Sequence, residues 1–211
     1  MKRIAIIFFG ISYNPKIKHW YKNWSYSINY ADSLDNYKEY IFNYFTSLGY
    51  EIDIFFATNN SCKETQILND LKPKSYIFCE NLQCRFKSVQ DKIVKGIELC
   101  INYSKENMIT YDTVLITRFD LHFKKSFFDS NIILDQVNFV SILEKSHLVC
   151  DNLYIFPFEH INKFLQIFKS HGNRHNMLSY LKSKRLRVNF ILNENVSIGK
   201  LSFYKIVRNK I

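Results

Sequence analysis

The sequence predicts an α/β domain, a mainly parallel central sheet flanked by helices. Three observations predict it. Short, continuous apolar runs such as residues 4–9 and the TVLI of residues 113–116 alternate with stretches of helical periodicity. Strands apolar along their whole length are those covered on both faces, the habit of parallel sheets. With five glycines, three prolines and no internal repeat, the 211 residues offer no hinge segment, so one domain spanning 1–211 is expected.

The elements follow in order. Residues 4–9, IAIIFF, read as the first strand. This run is too short to span a membrane and lacks the small-residue cleavage site of a signal peptide. An aromatic and polar stretch, 10–32, follows. Residues 33–48 read as a helix stopped by Gly49, with Tyr40, Tyr44, Phe45 and Leu48 toward the core. A second strand covers 53–57, and a short helix, 63–71, is closed by Pro73. A third strand covers 75–79. Residues 86–103 form a longer helix with Val89, Ile93, Ile97 and Cys100 on one face, and 112–119 form a fourth strand. Beyond it, strands are expected at 137–142, 153–156, 188–192 and 202–207, and helices at 159–169 and 177–181.

Composition narrows the function classes. Apolar residues make up 47%, aromatics 17% and charged residues 23%, which excludes a disordered chain. The net charge of +10 favours anionic partners. The charges are scattered, and the densest cluster, Lys182, Lys184, Arg185 and Arg187, has no aromatic ladder beside it. Nucleic acid is therefore not the expected partner; an anionic small-molecule donor, with peripheral membrane contact, fits better. Nothing sets an oligomeric state. The five cysteines, Cys62, Cys79, Cys84, Cys100 and Cys150, are odd in number and show no CxxC spacing. Most of them read as small core residues of a chain in a reducing, cytoplasmic compartment, so the four Asn-x-Ser sites, at Asn23, Asn59, Asn102 and Asn195, read as accidents of composition. There is no GxGxxG after the first strand and no GxxxxGK[ST], so a dinucleotide oxidoreductase and a P-loop NTPase are poorly supported.

In parallel sheets ligands bind at the carboxyl ends of the strands. The residues just past those ends are Gly10 to Tyr13, Thr58 to Asn60, Glu80, and Arg118 to His122. The most informative segment is YDTVLITRFDLHF, residues 111–123. In extended backbone residues two apart share a side, so Asp120 and His122 can converge on one ion. A carboxylate and an imidazole suit Mn²⁺ or Mg²⁺, and open coordination positions suit diphosphate oxygens. Such an ion offsets the charge that develops on a departing nucleotide diphosphate.

This segment resembles the "YDxVIRTRFDL.F" stretch of bacterial and giant-virus glycosyltransferases that build lipopolysaccharide, capsule or surface glycans. It also looks like the Asp-x-Asp region of GT-A glycosyltransferases, with His122 as its last member, an Asp-x-His variant found in polypeptide N-acetylgalactosaminyltransferases. The resemblance implies a GT-A (Rossmann-like) domain whose nucleotide-sugar-binding half is 1–123 and whose acceptor half is 124–211. It implies transfer from a nucleotide-diphosphate sugar, UDP-sugar favoured, to a glycan or glycoconjugate acceptor. Asp120 would bind the ribose or the metal, His122 the metal, and Arg118 would orient Asp120 or touch the donor. Gly10 and Tyr13 would hold the base, Thr58 and Asn59 would meet its edge, and Gln90 and Lys92 would flank the nucleotide. In the second half, Asp151 before the apolar LYIF strand is the candidate catalytic base, with Glu144 next. His147, His171 and His175 are spare histidines, and Arg174 and Lys200 could reach the donor phosphates. The aromatic stretch 19–30 could stack on a sugar or base, or simply pack over the sheet. Two alternatives remain, a non-catalytic basic binding domain and another metal-dependent nucleotide-processing enzyme.

Overall fold

The computed structural model describes residues 1–18, 24–80, 85–143, 148–170, 177–192, 195–196 and 202–211, with only the backbone of 85–88, 143 and 195–196. The chain runs β1 (Lys2–Phe9), β2 (Tyr13–Lys18), β3 (Ser25–Asn29), α1 (Ala31–Tyr37), a π-helical turn (Lys38–Phe42), α2 (Asn43–Ser47), β4 (Tyr50–Asn59), α3 (Glu64–Leu71) and β5 (Ser75–Cys79). It continues with α4 (Arg85–Glu106), β6 (Thr113–Arg118), β7 (Leu121–Phe123), β8 (Val137–Phe139), β9 (Ile142–Leu143) and β10 (Leu153–Pro157). A 3₁₀ turn (Phe158–His160), α5 (Ile161–Ser170), α6 (Met177–Ser183), β11 (Val188–Phe190), β12 (Asn195–Val196), β13 (Tyr204–Ile206) and β14 (Asn209–Lys210) complete it.

Seven strands form the central sheet in the order β11-β8-β10-β6-β1-β4-β5. Its pairs are parallel except those of β10, which runs antiparallel to both β6 and β8. The mainly parallel, helix-flanked α/β architecture predicted from the sequence is the one the chain adopts. Alternation within β1 shows why. Ile4, Ile6 and Phe8 face a layer built from Leu34, Tyr37, Ile41, Phe45 and Ile67. Ala5, Ile7 and Phe9 face Ile93, Ile97 and Cys100 of α4, in a layer that includes Phe164 and Phe168 of α5. All six β1 residues are fully buried, and each large one contributes about 1.5–3 kcal/mol. Gly96 lets α4 approach closely, since a Cβ there would stand 2.6 Å from Ile7 Cγ2.

Several sequence expectations are corrected. Within the stretch 10–32, β2 and β3 pair antiparallel and β14 joins the outer edge of β3, strands that the sequence reading did not foresee. The signal is weak because β2 carries Pro15 and exposed lysines, features of an edge strand. The helix expected over 33–48 runs without interruption from 31 to 47, widened by a π turn at 38–42, and Leu48 is 40% exposed rather than core. Cys62 is exposed, while Cys79, Cys100 and Cys150 are buried as expected. In the second half the expected strand 137–142 divides into β8 and β9, those at 188–192 and 202–207 are shorter, β10 runs one residue past 156, and β12 and β14 were not foreseen; nor was β7 in the first half. Among the described residues no helix is long and apolar enough to cross a membrane.

Candidate functional site

The chain passes from β1 to β4 and β5 on one side of the sheet, then returns to β6 on the other side of β1. A reversal of this kind opens a crevice at the carboxyl ends of the two central strands. Phe9 lies in register with both Ala57 and Arg118. Gly10, Thr58 and the Arg118–Asp120 turn therefore emerge side by side. Asn59 is paired with Cys79 at the ends of β4 and β5. The start of the antiparallel β10 meets the same edge, since Leu153 pairs with Thr117. This places Asp151 beside the RFD turn.

The turn after β1 is fixed by Thr58. Its hydroxyl accepts from the Ser12 N–H (3.0 Å), donates to the Gly10 carbonyl (3.0 Å) and lies 2.9 Å from the Ser12 hydroxyl. Gly10 holds φ at +99°, a conformation that L side chains rarely adopt. Tyr13 is half-buried, with Lys63 Nζ 6.0 Å from its ring centre. Lys92 is buried, and desolvation lowers its pKa, with Cys79 and Asp91 opposing that effect.

Arg118 and Asp120 form the centre. Arg118 Nε and Nη2 each lie 2.6 Å from one Asp120 carboxylate oxygen, a two-pronged pair with Asp120 only 2% exposed. Burial works against the charged guanidinium, but Asp120, Asp151 and Tyr204 outweigh it and hold its proton more firmly than usual. Asp120 sits in the turn before β7, so the extended-strand spacing argument does not apply to it directly.

The short strand β7 is braced from two sides. On one, Asn36 of α1 donates to the Phe123 carbonyl (3.0 Å) and accepts from the Phe123 N–H (2.7 Å). Tyr37 donates to the Arg118 carbonyl and accepts from the Leu121 N–H, both at 2.8 Å. On the other, β13 pairs antiparallel with β7, and the Val207 N–H meets the Asp120 carbonyl at 2.7 Å. That pairing delivers Tyr204, whose hydroxyl lies 2.7 Å from Cys150 Sγ and accepts from Asn152 Nδ2 at 2.8 Å. Burial pushes the Cys150 thiol up to about 11 and the Tyr204 phenol well above its ordinary value. Both are therefore neutral at physiological pH.

Arg118, Asp120 and Asp151 are thus brought together, and Gly10 and Thr58 meet beside them. Sequence reasoning missed Asn36, Tyr37, Cys150, Asn152 and Tyr204. No local spacing singles them out, because each reaches the site through a contact far along the chain. Glu144, His147, His171, Arg174, His175 and Lys200, and residues 19–23 of the aromatic stretch, lie outside the described residues.

The donor set for a divalent ion is narrow. His122 Nδ1 is buried with no hydrogen-bond partner, a position that an ion or a polar ligand atom can fill. Asp120 keeps lone pairs beyond those that Arg118 uses. Among the described residues no group of three or more His, Cys, Asp or Glu side chains forms a metal cluster. A carboxylate and an imidazole are donor types that an ion with two protein ligands takes, the other positions coming from a diphosphate or water.

No protein-family model and no curated protein matches the sequence. Solved structures similar to the chain include a glycosyltransferase involved in the glycosylation of the major capsid of PBCV-1. That likeness has a TM-score of 0.44 and 9% identity, covering 90% of this chain and 82% of that one. A second is the nucleoside-diphosphate-sugar pyrophosphorylase from Vibrio cholerae RC9, with a TM-score of 0.44 and 11% identity, covering 95% of this chain and 94% of that one. At these values neither likeness bears on the chemistry.

Proposed function

We propose that the chain is a glycosyltransferase that moves a sugar from a nucleotide-diphosphate sugar, UDP-sugar favoured, to a glycan or glycoconjugate acceptor. One observation carries this reading: the YDTVLITRFDLHF segment delivers Arg118 and Asp120 to the carboxyl edge at the topological switch point, with Asp151 against them.

The chemistry follows from the residues. An acceptor hydroxyl attacks the anomeric carbon, the bond from that carbon to the diphosphate oxygen breaks, and the nucleotide diphosphate leaves. Asp151 takes the hydroxyl proton as general base, a role that implies inversion. The Gly10–Ser12 turn, held by Thr58, lets backbone approach the nucleotide, with Tyr13, Asn59 and Lys92 along the same edge. Arg118 keeps Asp120 in one orientation and places positive charge where the leaving group gains negative charge. Asp120 and His122 would hold a Mn²⁺ or Mg²⁺ ion, which when bound supplies Lewis-acid stabilisation of the diphosphate.

The test is thermal melting with a panel of nucleotides and nucleotide sugars, with and without Mn²⁺, on wild type and Asp120→Asn. A ligand that binds only the folded chain raises Tm. The expected result is a rise with a UDP or GDP compound that is lost in Asp120→Asn. No rise with any nucleotide would overturn the donor site. A rise of equal size without Mn²⁺ would remove the ion from it.

A further inference from the structure

Tyr204 stands between the segment that carries Asp120 and the segment that carries Asp151. It is 2% exposed and lies in the core layer that also holds Phe123 and Cys150. Its strand, β13, runs antiparallel along β7, with Tyr204 opposite Phe123 and Lys205 opposite His122. The ladder continues at both ends. The Lys124 N–H donates to the Phe203 carbonyl at 2.8 Å, and the Val207 N–H to the Asp120 carbonyl at 2.7 Å. The backbone of β13 is thus fixed against residues 120–124.

The Tyr204 side chain makes the second connection. Its hydroxyl accepts from Asn152 Nδ2 at 2.8 Å and lies 2.7 Å from Cys150 Sγ. Those two residues flank Asp151, itself 8% exposed. On its other side the same segment is held by β6, the strand that ends at Arg118. Thr117 pairs with Leu153, and its hydroxyl donates to the Asn152 carbonyl at 3.4 Å. A phenylalanine at 204 would supply the same ring to the core, so what the hydroxyl adds is its contact with residues 150 and 152. Burying a hydroxyl, an amide and a thiol is unfavourable unless they satisfy one another, and a satisfied buried network fixes the position of its members.

We propose that Tyr204 is a positioning residue that, through Cys150 and Asn152, sets where Asp151 stands relative to Arg118 and Asp120. The role rests on the transferase reading, in which Asp151 takes the proton of the attacking hydroxyl while Arg118 faces the leaving group. Against the effect of burial, Asp120 and Asp151 both favour the charged form of Arg118, so the base and the leaving-group clamp share one guanidinium. A misplacement on the order of 1 Å can lower turnover by about 10²-fold, which makes the brace matter beyond its contribution to stability.

Tyr204→Phe keeps the ring and removes the hydroxyl. Turnover at saturating substrate should fall by about tenfold or more, with donor affinity unchanged, at a temperature where the variant is folded. In a cycle with Asp151→Asn, the double variant should be no slower than Asp151→Asn alone, because the hydroxyl acts through that carboxylate. Multiplied losses, or turnover equal to that of wild type, would overturn the role and leave Tyr204 a core residue. A second measurement needs no substrate. In protein with ¹³C-labelled aspartate carboxyl groups, the Asp151 resonance is assigned by its absence in Asp151→Asn. It should move in Tyr204→Phe while that of Asp53 stays in place. An unmoved Asp151 resonance overturns the brace. A moved resonance, with a wild-type chain that neither binds nucleotide sugars nor transfers a sugar, upholds the brace and counts against the transferase reading alone.

Discussion

The two edges of the central sheet bury the same kinds of residue and finish them differently. At the amino edge Asp53, 5% exposed, meets Arg3 at 3.4 Å, Lys74 at 3.6 Å and the Tyr111 hydroxyl at 2.9 Å. Arg3 also holds Glu51 at 2.6 Å, and its N–H reaches Asp112 at 2.7 Å. This network closes on itself. At the carboxyl edge Asp120 is also buried, yet Arg118 is its one salt-bridge partner among the described residues, and His122 Nδ1, two residues on, has no hydrogen-bond partner. A closed charge network of this kind serves stability, and the unpartnered His122 Nδ1 at the carboxyl edge is a position that the proposed donor can fill, although His160 Nδ1 near the amino edge is unpartnered too.

The sharpest way to break this contrast is to neutralise one carboxylate at each edge. Asp120→Asn should lower sugar transfer by about 10²–10³-fold, the scale seen when one preorganised electrostatic contact is removed. Asp53→Asn should leave turnover near that of wild type at a temperature where it is folded. Initial rates on purified proteins decide it. Equal loss of activity in both variants would mean that the edges do not differ as argued.

The converse effect belongs to stability. Asp53→Ala leaves the buried Tyr111 hydroxyl without its acceptor, while Arg3 keeps Glu51; the cost is about 2 kcal/mol, or a Tm lower by about 4–8 °C for a chain of this size. Calorimetry checks it. A change within error would show that the amino-edge network adds nothing.

The same contrast explains what the sequence revealed. The amino-edge and core features were legible because they are periodic: IAIIFF, SYIFC and TVLIT announce strands wherever they fold. The RFD turn was legible because Arg118, Asp120 and the strand before them are contiguous. Asp151 was found by its place before LYIF, although its nearness to Arg118 arises only because β10 runs antiparallel against β6. Tyr204 was invisible. It reaches the site through a three-residue strand, β13, whose exposed residues Lys205 and Ile206 give no alternation to read. Asn36 looked like an ordinary helical residue, and its bond to Phe123 spans 87 positions. Long-range polar braces of this kind leave no local period.

Asn36 also sharpens the comparison, because the carboxyl edge depends on bracing from behind rather than on a closed charge network. Asn36→Ala strips two hydrogen bonds from buried backbone of β7. The expected cost is about 2 kcal/mol, accompanied by weaker donor binding as the Asp120 turn loosens. Urea unfolding and a donor titration read the two effects separately. Lost stability with unchanged donor affinity would separate β7 from the site.

The smallest effect lies back at the amino edge, in the 3₁₀ turn that follows β10. Burial lowers the His160 pKa below its ordinary 6.5, with Glu159 opposing and Lys163 adding to the shift. Unfolded, the ring takes a proton near 6.5; folded, it does so only at lower pH. Between those two values the unfolded chain binds more protons, so stability rises with pH in that window and is lost as pH falls through it. The wild type should therefore lose Tm on acidification below about 6.5, and His160→Gln should lose less over the same interval. Donor affinity measured across the interval should not share this His160-dependent component, because the histidine lies at the opposite edge from Asp120. Identical Tm profiles for the two proteins would mean that this ring titrates alike in both states, and that the amino edge is indifferent to its proton.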